Sequence, residues 1–324
     1  HGPNTCGGAW APDAPIDQAD LNEWWEHCFA VAYWLNVRHD YGVTRFQVLN
    51  EPDQSAQGWG GTQAEYVQLV ETAYDAVKFA NDLAGIDTIM YAPVVGNHDS
   101  PYIAYSLDNA DDEIAVVDYH TYADDPGTGI STVKATIATH NPDGVIEPIW
   151  VSEWGTYTSS YDTFTRGMLT ARQLMTFSTH EVEGVTIFNM YDWGSSYGLL
   201  ATDRTKSETY YVYRLMTRGL KGGKDRLDFA TGGVSGDVMV TRDAAHVYII
   251  VINGDATIHA DLSALSLDEG DVNVYEYSAD SKDSIVATPS MTGGQFSFTA
   301  PASGIALAEV TWSPPYKSHS YLPL

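Results

Sequence analysis

Thr44-Arg45-Phe46-Gln47-Val48-Leu49-Asn50-Glu51-Pro52 alternates apolar and polar side chains, then stops at a carboxylate followed by a proline. A period of two is that of a strand, and Val48 and Leu49 supply core material. Pro52 brings no N–H to a ladder, so the strand ends there. Glu51 is therefore predicted at the rim of a sheet on rigid backbone, a position suited to a general acid. A second stretch has the same build. Pro148-Ile149-Trp150-Val151-Ser152-Glu153-Trp154-Gly155 is apolar until it reaches a glutamate flanked by aromatic rings. Two strand-end glutamates on one parallel sheet make a pair of facing carboxylates.

The segments around these stretches alternate in type. Asp20 reads as the N-cap of a helix over 21–38, in which Leu21, Trp24, Trp25, Cys28, Val31, Ala32 and Leu35 recur at helical spacing. After the Glu51 strand comes a helix over 63–81, with Tyr66, Leu69, Val70, Ala73, Tyr74 and Val77 inward, then a strand over 88–95. A strand over 113–119 leads into His120-Thr121-Tyr122, and a helix follows over 130–139. The Glu153 strand, a helix over 163–179 and a strand over 185–190 continue the series into Tyr191-Asp192-Trp193-Gly194. A helix over 207–220 closes it at Gly222-Gly223. Strands alternating with helices of this length predict right-handed βαβ units and a parallel sheet.

Beyond Lys224 the helical spacing disappears. Short strands over 238–240, 247–252, 272–277, 296–299 and 305–310, separated by turns such as Asn253-Gly254-Asp255, predict an antiparallel β-sandwich. The expected domains are an α/β unit over 1–223, the sandwich over 224–313 and a Pro- and Tyr-rich tail over 314–324 that packs on a surface.

At 324 residues, 44% of them hydrophobic, the chain has ample material for a core. It holds no apolar run long enough for a membrane span. A formal net charge of −27 argues against nucleic acid and against anionic membrane surfaces as partners. It fits a solvated acidic surface, as in salty surroundings that screen the repulsion. Cys6 and Cys28 are the only cysteines, and Cys28 reads as a buried thiol. A Cys6–Cys28 disulfide is the alternative. No cysteine–histidine spacing supports zinc, and neither metal nor cofactor is expected. There is no Gly-x-Ser-x-Gly elbow and no glycine-rich phosphate loop after a strand. His1-Gly2-Pro3-Asn4 reads as a trimmed start, consistent with a secreted or periplasmic protein, with a cytoplasmic location as the alternative.

The ordered set Asn50-Glu51-Pro52, His120-Thr121-Tyr122, Ser152-Glu153-Trp154 and Trp193, each at a strand end, resembles clan A glycoside hydrolases. The order also resembles glycoside hydrolase family 39 in having Trp59, Glu65-Tyr66 and an appended sandwich. The resemblance implies a (β/α)8-type TIM barrel with the acid/base after the fourth strand and the nucleophile after the seventh. About 43 residues precede the Glu51 strand, too few for three βα units. The expected fold is thus an incomplete barrel of about five βα units plus the C-terminal sandwich. Its open edge would be covered by a homo-oligomer or by an N-terminal piece.

Glycoside cleavage with retention needs two carboxyl groups roughly 5 Å apart, one protonated and one ionised. Glu51 is the expected acid/base and Glu153 the expected nucleophile, held by Tyr122 and His120. The resemblance implies that Asn50 contacts the sugar 2-hydroxyl and that Trp193 lines the −1 subsite. Trp154, Trp59 and Trp10 are further candidates to stack on sugar faces. The expected activity is that of a retaining hydrolase of β-linked neutral glycans or oligosaccharides, β-xylosidase- or β-glucosidase-like. An endo-acting β-glycanase, marine galactans included, and a non-catalytic carbohydrate-binding barrel are the alternatives.

Overall fold

The computed structural model of the chain describes residues 18–54, 59–141, 149–156, 163–192 and 197–312. Cys6, Trp10, Trp193 and the tail over 314–324 lie outside them. The first elements are α1 (Gln18–Ala32), running on as a π-helical turn over Tyr33–Arg38, then β1 (Arg45–Gln47), α2 (Gln63–Ala84), β2 (Ile89–Val95) and α3 (Pro101–Asn109). They are followed by β3 (Val116–Thr121), α4 (Gly127–His140), β4 (Ile149–Trp154), α5 (Phe164–Thr179), β5 (Gly184–Ile187) and α6 (Glu208–Leu220). The remaining strands are β6 (Asp225–Arg226), β7 (Asp237–Arg242), β8 (His246–Ile252), β9 (Ala256–Asp261), β10 (Asp271–Tyr277), β11 (Lys282–Ala287), β12 (Gln295–Ala300) and β13 (Ile305–Thr311). The chain forms two compact units, one from the chain up to Gly155 together with Thr179–Phe188, the other from Thr156–Ser178 and Asn189 onward.

The first unit carries a parallel sheet in the order β1-β2-β3-β4-β5. This is an incomplete TIM barrel wall, five adjacent strands where a closed barrel has eight. Among the described residues β1 and β5 each pair on one side only. β3 is buried along its whole length, as central parallel strands are, yet it includes Asp118 and His120. α2 starts from a capping box between Thr62 and Glu65 and turns Tyr66, Leu69, Val70, Ala73 and Val77 inward, as its spacing predicts. α1 begins at Gln18, so Asp20 lies in its first turn instead of capping it, and Val31, expected inward, is 42% exposed. Cys28 is buried, and burial pushes its thiol up to about 12.

Side chains from neighbouring strands meet in layers along the sheet. At the N-terminal end of the strands the Arg45 guanidinium lies 5.7 Å from the centroid of the Trp150 ring, and Tyr91 meets the same ring edge-on. Arg45 also pairs with Glu183, just before β5, at 2.7 Å, so the first and last strands approach each other at this end. Gly184 leaves room for Trp150: a Cβ there would fall 2.2 Å from the ring. The next layer holds Gln47, Asp118 and Ser152. Glu51, His120, Tyr122 and Glu153 form the layer at the C-terminal rim.

Alternation alone would put Ser152 and Glu153 on opposite faces of the sheet. The β3–β4 register prevents that. Asp118 pairs with Trp150 but His120 pairs with Glu153, so β4 has one residue more than β3 over this interval. Such a bulge re-aims a side chain, and here it brings Glu153 opposite His120.

α3 is absent from the sequence reading, although Ser100-Pro101 is a start signal: Ser100 accepts from the Tyr102 N–H and proline occupies the first turn. The second unit has a six-stranded antiparallel sheet, β11-β10-β13-β8-β7-β6, and a two-stranded sheet, β12-β9. Alternate residues such as Phe296 and Phe298 of β12 enter a core with Val247, Ile249 and Val251 of β8. This is the expected sandwich, with β6, β9 and β11 added to the strands read from sequence. α6 is capped by Ser207, and its Glu208 pairs with Lys282 of β11 at 2.6 Å.

Candidate active site

The chain leaves β1 through a strained corner. β1 ends at Gln47, four residues short of Glu51, where the alternation predicts its end, because Leu49 and Glu51 take left-handed backbone, φ 59° and 49°. Residues with a Cβ avoid that region, and at functional sites such strain is held by the surroundings. Here the Val48 carbonyl accepts from the Tyr66 hydroxyl at 3.0 Å, and the Glu51 N–H donates to the Val94 carbonyl at 2.9 Å. The corner turns the Glu51 carboxyl inward, where it is 9% exposed, and leaves Asn50 exposed.

His120 sits between the two glutamates. Its Nδ1 lies 2.7 Å from Glu51 Oε1 and 3.8 Å from Glu153 Oε2, while its Nε2 lies 3.2 Å from Ser152 Oγ. The Tyr122 hydroxyl donates to Glu153 Oε1, and the Tyr122 ring packs edge-on against Phe188. One oxygen from each glutamate and one ring nitrogen of His120 all fall within 4.8 Å of one another. An ion could bridge such a spacing. His120 Nδ1 is already bonded to Glu51, however, and Glu153 to Tyr122, an arrangement of acid–base partners more than of ligands facing a metal.

Gly96, at the exit of β2, is part of the site by virtue of what it lacks. A Cβ there would lie 2.9 Å from Gln54 Cγ and 3.2 Å from the Glu51 carboxyl carbon. Its N–H donates to Asp53 Oδ1 at 2.8 Å, which ties the segment after Glu51 to the sheet.

Beneath this layer Asp118 is fully buried. It accepts from the Ser152 N–H at 2.9 Å and from the Gln47 side-chain amide, and the Ser152 hydroxyl bonds to it as well. Burial pushes its carboxyl up to about 6, against the pull of those donors and of His120. Because the folded-state value lies above the ordinary 3.8, the native state holds this proton more tightly than the unfolded chain. The resulting stabilisation is complete below about pH 4, falls as pH rises through about 6, and amounts to about 3 kcal/mol. Asp118→Asn is neutral throughout. The stability of the wild type relative to this variant should therefore drop by about 3 kcal/mol between pH 4 and pH 7, measured by urea unfolding. A constant difference across that range would refute the assignment.

The structure thus brings together Glu51, Glu153, His120 and Tyr122. Trp154 carries no exposed surface, so its ring packs in the interior and offers no face for a sugar, contrary to expectation. Trp59 is half-buried and packs edge-on against Tyr66. Trp193 lies outside the described residues. Sequence reading missed Ser152, Gln47 and Gly96 and gave Asp118 no role. An aspartate and a histidine two apart inside an apolar strand were the available signal.

No family model matches this chain, and no curated protein matches it in sequence. Solved structures with the same fold do exist, and those it resembles are glycoside hydrolases. A glucosidase from Croceicoccus marinus superposes with a TM-score of 0.75 at 15% identity, covering 94% of this chain and 77% of that one. A GH39 β-xylosidase from Caulobacter crescentus gives 0.69 at 14% identity, covering 90% and 72%. A GH30 endoxylanase from Clostridium papyrosolvens C71 gives 0.65 at 17% identity, covering 92% and 72%. At these identities the likeness establishes a shared fold, in line with the clan that the motifs resemble.

Proposed function

We propose that this chain is a retaining glycoside hydrolase acting on β-linked neutral glycans, with Glu153 as nucleophile and Glu51 as acid/base. The observation that carries this reading is the close approach of the two carboxylates, one oxygen of each lying within 4.8 Å of the other on one sheet rim. Inverting enzymes leave room for a water between their carboxyl groups, which sit roughly 6.5–9.5 Å apart, whereas retaining ones need roughly 5 Å. Glu153 attacks the anomeric carbon while Glu51 gives its proton to the departing oxygen. Glu51 then takes a proton from the water that releases the glycosyl-enzyme. Tyr122 orients the nucleophile, and His120 positions the acid/base.

The solved structures of like fold include a β-xylosidase and a glucosidase, which makes aryl β-xylosides and β-glucosides the first substrates to try. The endo-acting xylanase among them keeps xylan as the second. The test is hydrolysis of a panel of aryl β-glycosides and β-glycans at low and high salt, with the first-formed anomer read by proton NMR. A first-formed β-anomer supports the reading, and an α-anomer refutes it. No turnover by a folded sample favours a carbohydrate-binding role.

Gly96→Ala should lower kcat/KM by roughly tenfold while shifting Tm by only a few degrees, since the added methyl displaces Glu51 and Gln54 more than it disturbs the core. Unchanged kinetics would mean that Glu51 tolerates the displacement or takes no part in turnover.

A further inference from the structure

Five residues lie in one row across the sheet: Gln47 of β1, Asp118 of β3, Ser152 of β4, His120 of β3, and Glu51 beyond β1, with Asp118 held by the Ser152 N–H at 2.9 Å and by the hydroxyl of the same residue. Only its last two members belong to the reacting layer. Each link has a donor and an acceptor, so the direction of one bond fixes the next. Gln47 presents its Nε2–H to Asp118 Oδ2, and the Ser152 N–H can only donate to Oδ1. Both favour an ionised Asp118, which accepts and never donates.

We infer that Asp118 and Ser152 are positioning residues that set the direction of this row and so place the proton on Glu51. An ionised Asp118 accepts from the Ser152 hydroxyl. Ser152 Oγ then accepts from His120 Nε2–H, which leaves Nδ1 as a lone pair. The only bond open to that lone pair is one donated by Glu51 Oε1–H, 2.7 Å away. The carboxyl that must give up a proton to the leaving group is thereby held protonated. No bond is made or broken in this arrangement. It differs from simple repulsion between two glutamates, because the information comes from a layer that touches no substrate.

Among the described residues, the groups facing Asp118 are Gln47 of β1, Ser152 of β4 and His120 of its own strand, with the Tyr66 and Tyr91 hydroxyls near enough to feel its charge. Burial raises the value of Asp118, but at neutral pH it remains mostly ionised. This inference rests on the glycosidase reading for its purpose, though not for its geometry.

The test has two arms. The first reads the histidine ring directly, by nitrogen-15 NMR of the whole chain at pH 7, with His120→Gln to assign the signals. The wild type should show His120 as the neutral Nε2–H tautomer, and Ser152→Ala should introduce a clear Nδ1–H population. Ser152→Thr, which keeps the hydroxyl, should restore the wild-type spectrum. A wild-type Nδ1–H tautomer, an imidazolium, or a tautomer indifferent to Ser152→Ala would overturn the inference, whatever the chain hydrolyses. The second arm compares leaving groups. Ser152→Ala should lower kcat/KM by about 10- to 100-fold for alkyl glycosides, whose departure needs a proton, and by less than about threefold for dinitrophenyl glycosides. An equal loss on both would mean that Ser152 supports packing alone. Failure of the wild type on every glycoside, alongside the expected tautomers, would count against the glycosidase reading and leave the row standing.

Discussion

Glu153→Ala is expected to abolish turnover, with a fall in kcat of at least about 10⁴-fold. The residue has no substitute. Among the described residues its carboxylate neighbour in the cluster is Glu51, which is turned toward His120 Nδ1. The variant should fold, because Glu153 is partly exposed at the rim and its removal leaves no buried charge. Sugar binding by calorimetry should survive. The alanine also opens a small pocket beneath the Tyr122 hydroxyl, so azide or formate at high concentration should enter it. Attack from that side restores part of the rate and yields a product of the configuration opposite to the wild type's. Near wild-type activity would remove Glu153 from the mechanism, and rescue without a change of configuration would move it to the acid/base role.

Glu51→Ala is expected to act selectively. For alkyl glycosides the loss should reach about 10²–10⁴-fold, the usual worth of a positioned general acid. For dinitrophenyl glycosides the first step needs no proton, but release of the glycosyl-enzyme still needs a base. A burst of phenolate followed by slow steady turnover is therefore the expected trace in stopped-flow measurements. Equal losses on both substrate types would contradict the role. The two variants together separate nucleophile from acid/base, because only one discriminates by leaving group.

Much of the first unit was legible because parallel strands buried on both faces read as apolar runs and their helices carry a clear spacing. The glutamates at 51 and 153 stand out for the same reason: each ends such a run. The site itself was less legible. Strict alternation would have sent Ser152 and Glu153 to opposite faces, and only the extra residue in β4 puts both in the network. A bulge depends on the pairing partner, which the sequence of one strand does not contain. The same holds for Trp154, whose place beside a candidate catalytic residue says nothing of its complete burial. α3 is nine residues long and offered little spacing to detect. β9 has several exposed polar positions, and β11 exposes Ile285 and Val286 while burying Asp283, so both resemble connections until their partners are in place.

The left-handed corner at Leu49 and Glu51 has a thermal consequence. Each such residue costs about 1–2 kcal/mol, and the cost is borne by a handful of hydrogen bonds, those to the Val94 and Val48 carbonyls among them. Local segments that hold strain on few contacts are the first to open as temperature rises. Heat should therefore silence the proposed activity several degrees before circular dichroism registers any loss of helix, and brief warming in that interval should be fully reversible on cooling. The working temperature of this chain would then be set by the backbone between Leu49 and Glu51 at one strand exit, and not by the melting of either unit.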